Sequence, residues 1–481
     1  MRLPVFDRRR AGVLLPLSAL DAALGRGGRA FIDWLSEAGF SVWQILPVGP
    51  TGADGSPYWV RSDWAGNAQF LDPAELPDAQ LPPDAQFLET SAAWLPDYAL
   101  FEALTRAHGG TPFWAWPAAL RDRDSGALEA VRRALGAELD RTAREQYAFH
   151  VQWQRLRDYA RSRGVRLFGD LPFYVAPSSA ETWTHRELFQ LSAGGEPAAV
   201  GGVPPDYFAE LGQLWGNPVY DWHAQRREGF AWWVARVGAQ LARMDLLRLD
   251  HFRALAAYWA VPAGAPDARG GAWHSAPGME LLTRLREEFS DLPLAAEDLG
   301  VITPDVLALR ESFGLPGMRV LQFAFDGDPA NPHRPYLHER ASVVYTGTHD
   351  NDTTRGWLSG LDQEEFTRVA DYFALGGTPT AWPMIRAAFA SVARLAVIPM
   401  QDLLNLPSTA RMNRPGTTEG NWRWRFTDKD LARLERTRLA QLRQWHLSFD
   451  RTGDARQRDY SAPPAELPPS EPAISSSAST I

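Results

Sequence analysis

The sequence predicts an α/β protein: a (β/α)8 barrel of the TIM type, with large insertions after the early strands and no separate C-terminal β-domain. Three features predict it. Eight short apolar runs, each bounded by Gly, Pro or charge, are spread along the chain. They are continuous rather than alternating, as in strands covered on both faces of a parallel sheet. Amphipathic helical patterns lie between many of them, and strand–helix alternation repeated eight times points to a closed barrel.

The runs fall in order at 12–16 (GVLLP), 42–47 (VWQILP), 165–171 (VRLFGDL), 245–250 (DLLRLD), 293–298 (PLAAED), 318–325 (MRVLQFAF), 342–348 (SVVYTGT) and 394–400 (RLAVIPM). The first comes after MRLPVFDRRR, which invites a signal-peptide reading. Its apolar stretch is short, Asp21 soon interrupts it with a charge, and no small-residue cleavage site closes it. It therefore reads as a buried first strand, and a cytoplasmic location is expected. Helical periodicity covers 29–38, 145–162, 229–243, 280–289 and 304–313, the last with Thr303 as N-cap and Pro304 at the first helical position.

The spacing is uneven. A long segment with GPTGADGSPYW and the Trp-rich stretch Phe113–Trp116 separates the second run from the third. Another, with GGVPPDYFAELGQLWGNPVY, separates the third from the fourth. Insertions at about 48–160 and 172–240 are thus expected as subdomains over the C-terminal face of one catalytic unit, residues 1–455. Residues 456–481, rich in Pro, Ser and Ala, predict a disordered tail.

Composition narrows the chemistry. The 481 residues are 45% hydrophobic and carry a formal net charge of -9, so there is no basic footprint for nucleic acid. No apolar run is long enough to span a membrane. Cysteine is absent, which removes thiol nucleophiles, disulfides and thiolate metal sites. The single lysine, Lys429, lies in the polar context TDKD and beside no strand or glycine-rich loop, which argues against Schiff-base and P-loop chemistry. No organic cofactor has a fingerprint here. Twenty tryptophans supply flat apolar faces with one polar edge, which suit sugar rings as well as cores.

Three acidic residues stand at or just beyond predicted strand ends: Asp250 after DLLRL, Glu297 after PLAA and Asp350 in TGTHD. Separations of 297 − 250 = 47 and 350 − 297 = 53 residues bring all three to one mouth of the barrel. Retaining glycoside cleavage needs a carboxylate nucleophile and a protonated carboxylic acid ~5 Å apart. Each residue also has a structural reading. Arg248 and Asp250, two apart on a strand, share a face and could form a buried ion pair. Glu297 could cap the next helix, and Asp350 with His349 and Asn351 could form an Asx turn. A divalent-metal site stands second. The ten histidines include no HxH or HExxH pair, and only His251 and His349 lie beside the acidic cluster.

A set of longer motifs goes further. SPYWVRSDWAGN (56–67), DYALFEAL (97–104), GDLPFYVAPSSAETW (169–183), GVPPDYFAELGQLWGNPVYDW (202–222), RLDHFRALAAYW (248–259), AEDLGVITPDV (296–306), GLPGMRVLQFAFD (314–326), YTGTHDNDTTRGW (345–357) and QDLLNLPSTARMNRPGTTEGNWRWR (401–425) resemble the amylomaltases. These are the 4-α-glucanotransferases of glycoside hydrolase family 77, relatives of the α-amylases. The resemblance runs from about residue 12 to 445. It implies that Asp250 is the nucleophile, Glu297 the acid/base and Asp350 the carboxylate that stabilises the transition state. It places Arg248, His251 and His349 around the sugar at the cleavage point. Ser56, Tyr58, Asp170, Trp215, Asn217 and Asn421 match substrate-lining positions. Gly202–Glu210, with Asp206, Tyr207 and Phe208, resembles the family's mobile loop over the site.

The resemblance also implies α-1,4-glucans and malto-oligosaccharides as donor and acceptor. No metal dependence is expected. An α-glucan hydrolase with the same carboxylates is the first alternative, and a non-catalytic glucan-binding protein the second. The sequence departs from the family in three places. LLPLSAL (14–20) stands where a His-Pro-Thr-Ser sequence is usual, PYLHER (335–340) replaces an LPHN motif, and Glu419 replaces a smaller residue. These bear on acceptor-side contacts and leave the three carboxylates untouched.

Overall fold

The structure, a computed structural model, describes residues 5–75, 82–205 and 210–453. Twelve strands are present among them: β1 (Arg10–Leu14), β2 (Val42–Gln44), β3 (Arg166–Leu171), β4 (Ala199–Val203), β5 (Gln213–Pro218), β6 (Leu246–Leu249), β7 (Ala257–Pro262), β8 (Ala272–Ser275), β9 (Leu294–Ala296), β10 (Gly317–Val320), β11 (Ser342–Tyr345) and β12 (Leu395–Pro399). Eight of these form one parallel sheet in the order β10-β11-β12-β1-β2-β3-β6-β9. The Ala296 N–H donates to the Pro316 carbonyl at 2.8 Å and joins β9 to the approach of β10, closing the ring. Each of the eight apolar runs read from the sequence contributes one barrel strand.

The barrel strands are shielded on both faces. β1, β6, β11 and β12 are buried along their whole length, which explains why their sequences do not alternate. Close approach is needed at Gly12 of β1. A Cβ there would lie 2.8 Å from both the carbonyl oxygen and the Cβ of Val42 on the neighbouring strand. Helices Arg26–Ala38, Gly136–Ser162, Ala231–Leu241, Gly278–Glu288 and Pro304–Ser312 occupy the predicted helical segments. Thr303 stands at the N-cap of the last, in extended conformation, but its side chain makes no capping bond to the backbone. The described chain after β12 is built of helices and loops.

The first long insertion contains helices Ala85–Thr90, Leu95–Ala107 and Ser125–Ala134 and leads into Gly136–Ser162. A separate apolar cluster, including Tyr98, Phe101, Phe113, Trp116 and Trp183, holds it together. Trp183 comes from the second insertion. Its indole N–H donates to the Leu120 carbonyl at 3.1 Å, and the Arg123 guanidinium stacks 4.3 Å from its ring. The apolar runs had not indicated a second sheet. β5-β4-β7-β8 is antiparallel, drawing β4 and β5 from the segment after β3, and β7 and β8 from the segment after β6.

The opposite, N-terminal end of the barrel is sealed by Arg451. Its guanidinium donates to the carbonyls of Phe389, Arg10, Ser391 and Ala393 at 2.7 to 3.0 Å. PYLHER (335–340) lies at this end, just ahead of β11, where His338 contacts Ser391 Oγ at 2.7 Å and the His333 carbonyl at 2.9 Å. The His338 side chain of this departure is thus bonded away from the three carboxylates. No helix among the described residues is long and apolar enough to cross a membrane. The predicted tail at 456–481 lies outside the described residues.

Candidate active site

The acidic residues gather where the strands end. Arg248 lies on β6 and Asp250 directly follows it, its N–H donating to the Leu171 carbonyl at 3.0 Å. Two residues apart on extended chain, the side chains share a face, and Arg248 Nη2 meets Asp250 Oδ1 at 2.7 Å. Arg248 Nη1 donates to both oxygens of Asp170, on β3, at 2.8 and 2.7 Å. Asp170 is buried and Asp250 opens to the mouth, its side chain 27% exposed. Burial pushes the Asp170 carboxyl up, and the Arg248 guanidinium opposes this. For Arg248 burial pulls the other way, but the two carboxylates prevail and hold it charged.

Glu297 follows β9 and sits across from this pair. Its Oε2 accepts the His251 N–H at 2.7 Å and its Oε1 the Leu299 N–H at 2.9 Å. Burial pushes its carboxyl up to about 8. Arg248 and the two N–H donors oppose that rise, and the charge of Asp250 adds to it. The two carboxyls of one mouth are therefore held differently, one by a guanidinium and the other by desolvation. His251 adopts a left-handed backbone (φ 49°), which turns its N–H onto Glu297. Its Nε2 is buried without a hydrogen-bond partner, and burial pushes the imidazole down to about 4, leaving it neutral. Trp215 of β5 meets it edge-on at 4.7 Å.

Asp350 stands beyond β11 on a turn fixed by its neighbours. Asn351 Oδ1 accepts both the N–H and the hydroxyl of Thr348 at 2.9 Å, three residues back rather than two residues on as in an Asx turn, and this closed turn presents Asp350. Asp350 Oδ1 accepts Asn413 Nδ2 at 2.7 Å and lies 3.4 Å from His349 Nε2. The Asp350 carbonyl accepts Arg411 at 2.5 Å. Tyr58 links the two halves of the site. Its hydroxyl donates to Asp170 Oδ2 at 2.6 Å and lies 2.8 Å from His349 Nε2, with the two rings stacked at 5.4 Å. Because the phenol proton goes to Asp170, His349 must present its own proton at Nε2.

The structure thus brings together Asp170, Arg248, Asp250, His251, Glu297, His349, Asp350, Tyr58 and Trp215. Three other predicted residues are engaged in loop bonds. Ser56 Oγ accepts the Tyr58 N–H at 3.3 Å, and Asn217 donates to the Val175 carbonyl at 2.8 Å. Asn421 ties the loop 414–421, accepting the Arg414 N–H and donating to the Thr417 carbonyl, both at 2.9 Å. Asp206, Tyr207 and Phe208 lie outside the described residues. Leu14 and Pro16, in the first departure, line a small cavity beside His349, and Glu419 lies exposed in the loop 414–421.

Sequence reasoning did not single out Asn413, Arg411 or Trp422. Trp422 packs against Tyr58 and His349, both at 6.1 Å, with a left-handed backbone (φ 63°) that a bulky residue takes only when its surroundings impose it. All three lie inside the long motif 401–425, and the dense aromatic run NWRW was their available signal. Among the described residues, no three His, Asp or Glu side chains converge to hold a metal ion.

The chain is similar to known proteins over most of its length. A family model described as 4-alpha-glucanotransferase matches residues 16–86 and 77–431. A 4-alpha-glucanotransferase of Thermus thermophilus is 43% identical over 91% of this chain and 98% of its own length. One from Synechocystis sp. is 41% identical over 92% of this chain and 97% of its own. The amylomaltase of Streptococcus agalactiae, solved with acarbose, superposes with a TM-score of 0.85 at 32% identity, covering 92% of this chain and all of that one.

Proposed function

This chain belongs to the 4-alpha-glucanotransferase family, glycoside hydrolase family 77, and from that premise we propose how its mouth divides the chemistry. The protein is a 4-α-glucanotransferase acting on α-glucans, which it transfers with retention. Asp250 attacks the anomeric carbon of an α-1,4-linked donor, while Glu297, protonated because it is desolvated, gives its proton to the departing 4-oxygen. The glycosidic bond breaks as the Asp250–sugar ester forms, inverted at that carbon. Glu297, now a carboxylate, takes the proton from the 4-hydroxyl of an incoming glucan, which displaces Asp250 and restores the α-linkage. The single observation that carries this reading is the contrast between the two carboxyls. Asp250 is ion-paired to Arg248 at 2.7 Å and open to the mouth, and Glu297 is pushed up to about 8.

The remaining groups serve the oxocarbenium-like state. Asp350, held by Asn413, stabilises developing positive charge. His251, whose Nε2 has no partner among the described residues, donates a hydrogen bond to a sugar hydroxyl, and His349 spends its Nε2 proton on the Tyr58 oxygen and so fixes that ring. Tyr58, Trp215 and Trp422 form apolar walls that hold an acceptor sugar and keep water from the ester. Insertions 48–160 and 172–240 act as subdomains over this mouth, and acarbose, with which the streptococcal amylomaltase was solved, should compete with glucan for it. Incubation with pure maltotriose in EDTA tests the reading. It predicts glucose together with chains longer than maltotriose, without growth in total reducing ends. Shortening alone, with reducing ends rising in step, would make the protein a hydrolase.

A further inference from the structure

The site uses Tyr58 but gives no task to the residue after it. Trp59 is 40% exposed, and of the twenty tryptophans only Trp273 is exposed to a similar degree. Trp273 has a cover, since the Arg253 guanidinium lies 3.9 Å from its ring and Trp259 meets it at 5.3 Å. Among the described residues no ring or guanidinium stacks on Trp59. An indole left in water without a partner forgoes the stabilisation that its large apolar surface would gain by burial.

Its position is built. The loop that carries it is pinned at its base by a bridge between Thr51 and Val60 and by the Arg61 N–H on the Pro50 carbonyl at 2.8 Å. Arg61 Nη1 adds a bond to the Thr51 carbonyl at 3.0 Å. The benzo edge of the indole rests on Gly216 of β5. A Cβ at that glycine would stand 3.4 Å from both Cζ2 and Cη2 of Trp59. Gly216 has φ +79°, a conformation that glycine adopts at little cost, and it breaks the strand pattern on the outermost strand of the second sheet. On one side of Trp59 is Tyr58, which binds Asp170 and His349. On the other, beyond Gly216, is Trp215, which packs on His251 beside Glu297. The exposed indole therefore bridges the two walls of the mouth at its rim, anchored by one edge.

We propose that Trp59 is a stacking platform for a glucan, an outer sugar subsite beyond the rings that touch the carboxylates. This rests on the glucanotransferase reading and adds a binding position to it. The C–H-rich face of an α-linked glucose is apolar and pairs with a flat indole without needing a polar partner. An edge-anchored ring offers such a face with little ordering cost on binding.

The test compares kcat/KM for maltotriose and maltoheptaose in the full-length enzyme. In Trp59→Ala, the maltoheptaose value should fall about tenfold more than the maltotriose value. Trp59→Tyr should restore the wild-type ratio to within twofold, and Trp59→Leu, apolar but not flat, should behave like alanine. Trp273→Leu serves as the control and should change neither substrate. Equal loss on both substrates would mean that Trp59 merely positions Tyr58, and no loss on either would mean that no glucan rests there. Either outcome overturns the platform. A wild-type enzyme that fails to lengthen maltotriose would instead overturn the transferase reading on which it stands.

Discussion

Replacing Glu297 by glutamine should stabilise the protein relative to the wild type progressively as the pH rises from 5 to 8, while removing most of its activity. In the folded wild type, burial pushes this carboxyl from its ordinary 4.5 up to about 8. In the unfolded chain it ionises near its ordinary value. Between the two values the folded protein binds a proton that the unfolded chain has released, so wild-type stability falls with rising pH. A rise from 4.5 to about 8, at ~1.4 kcal/mol per pH unit, sets a ceiling of ~5 kcal/mol. Glutamine does not titrate. Its amide nitrogen faces one of the backbone donors, His251 N–H or Leu299 N–H, at a cost of ~1–2 kcal/mol that is the same at every pH.

The assay is urea unfolding of both proteins at pH 5, 6, 7 and 8, taking the difference at each pH so that all other titrations cancel. The account predicts a difference that grows in favour of the variant by several kcal/mol across that range. A flat difference would refute the claim that the folded protein keeps Glu297 protonated. Alongside this, kcat should fall by ~10²–10⁴, the usual contribution of a general acid. In the wild type, kcat/KM should decline on the alkaline side near pH 8.

Asp250→Asn should lower turnover by ~10⁴ or more while isothermal titration still detects maltoheptaose binding, since the substitution keeps shape and loses only the nucleophile; full activity would mean the nucleophile has been misassigned. Asn413→Ala removes the donor that holds Asp350 Oδ1 at 2.7 Å. A charge-assisted bond of this kind is worth ~1.5–3 kcal/mol, so kcat should drop ~10- to 100-fold with KM little changed, as steady-state kinetics would report. Arg248→Met leaves Asp170 buried and uncompensated, which should cost ~3–5 kcal/mol at neutral pH. Because burial raises that carboxyl, lowering the pH lets it take up a proton and should recover part of the loss, measurable by urea unfolding at pH 7 and 5. The double variant with Asp170→Asn should be less destabilised than Arg248→Met alone.

The barrel was legible because its strands are buried on both faces over nearly all their length, so their sequences are mainly apolar and bounded by turns or charge, with Asp170, Arg248 and Arg319 the charges buried inside them. The second sheet was not. β4 reads AVGGV and β5 QLWGNP, glycine-interrupted stretches with little side-chain pattern, and β8 reads AWHS and is exposed along its length. Their pairing depends on backbone approach at Gly201 and Gly202, where an added Cβ would strike Tyr174 and the Gln213 carbonyl. No periodicity announces that. At the site, Asp250 and Arg248 were readable from strand alternation, and Glu297 from its place after PLAA. Asn413 and Trp422 reach the centre from a loop more than sixty residues beyond Asp350, and only the fold brings them there. Asn217 and Asn421 show the converse. They match the family's substrate-lining positions in the motifs, and here their amides bond the backbone of their own surroundings.

The most direct test of the central claim is to find which carboxylate carries the sugar. The enzyme would be incubated with a 5-fluoro α-glucosyl fluoride, which forms the ester faster than it can be resolved, and then digested and sequenced by mass spectrometry. The account predicts one glycosyl adduct, on Asp250. An adduct on Glu297 or Asp350, or turnover of this reagent with no adduct on any carboxylate, would contradict it.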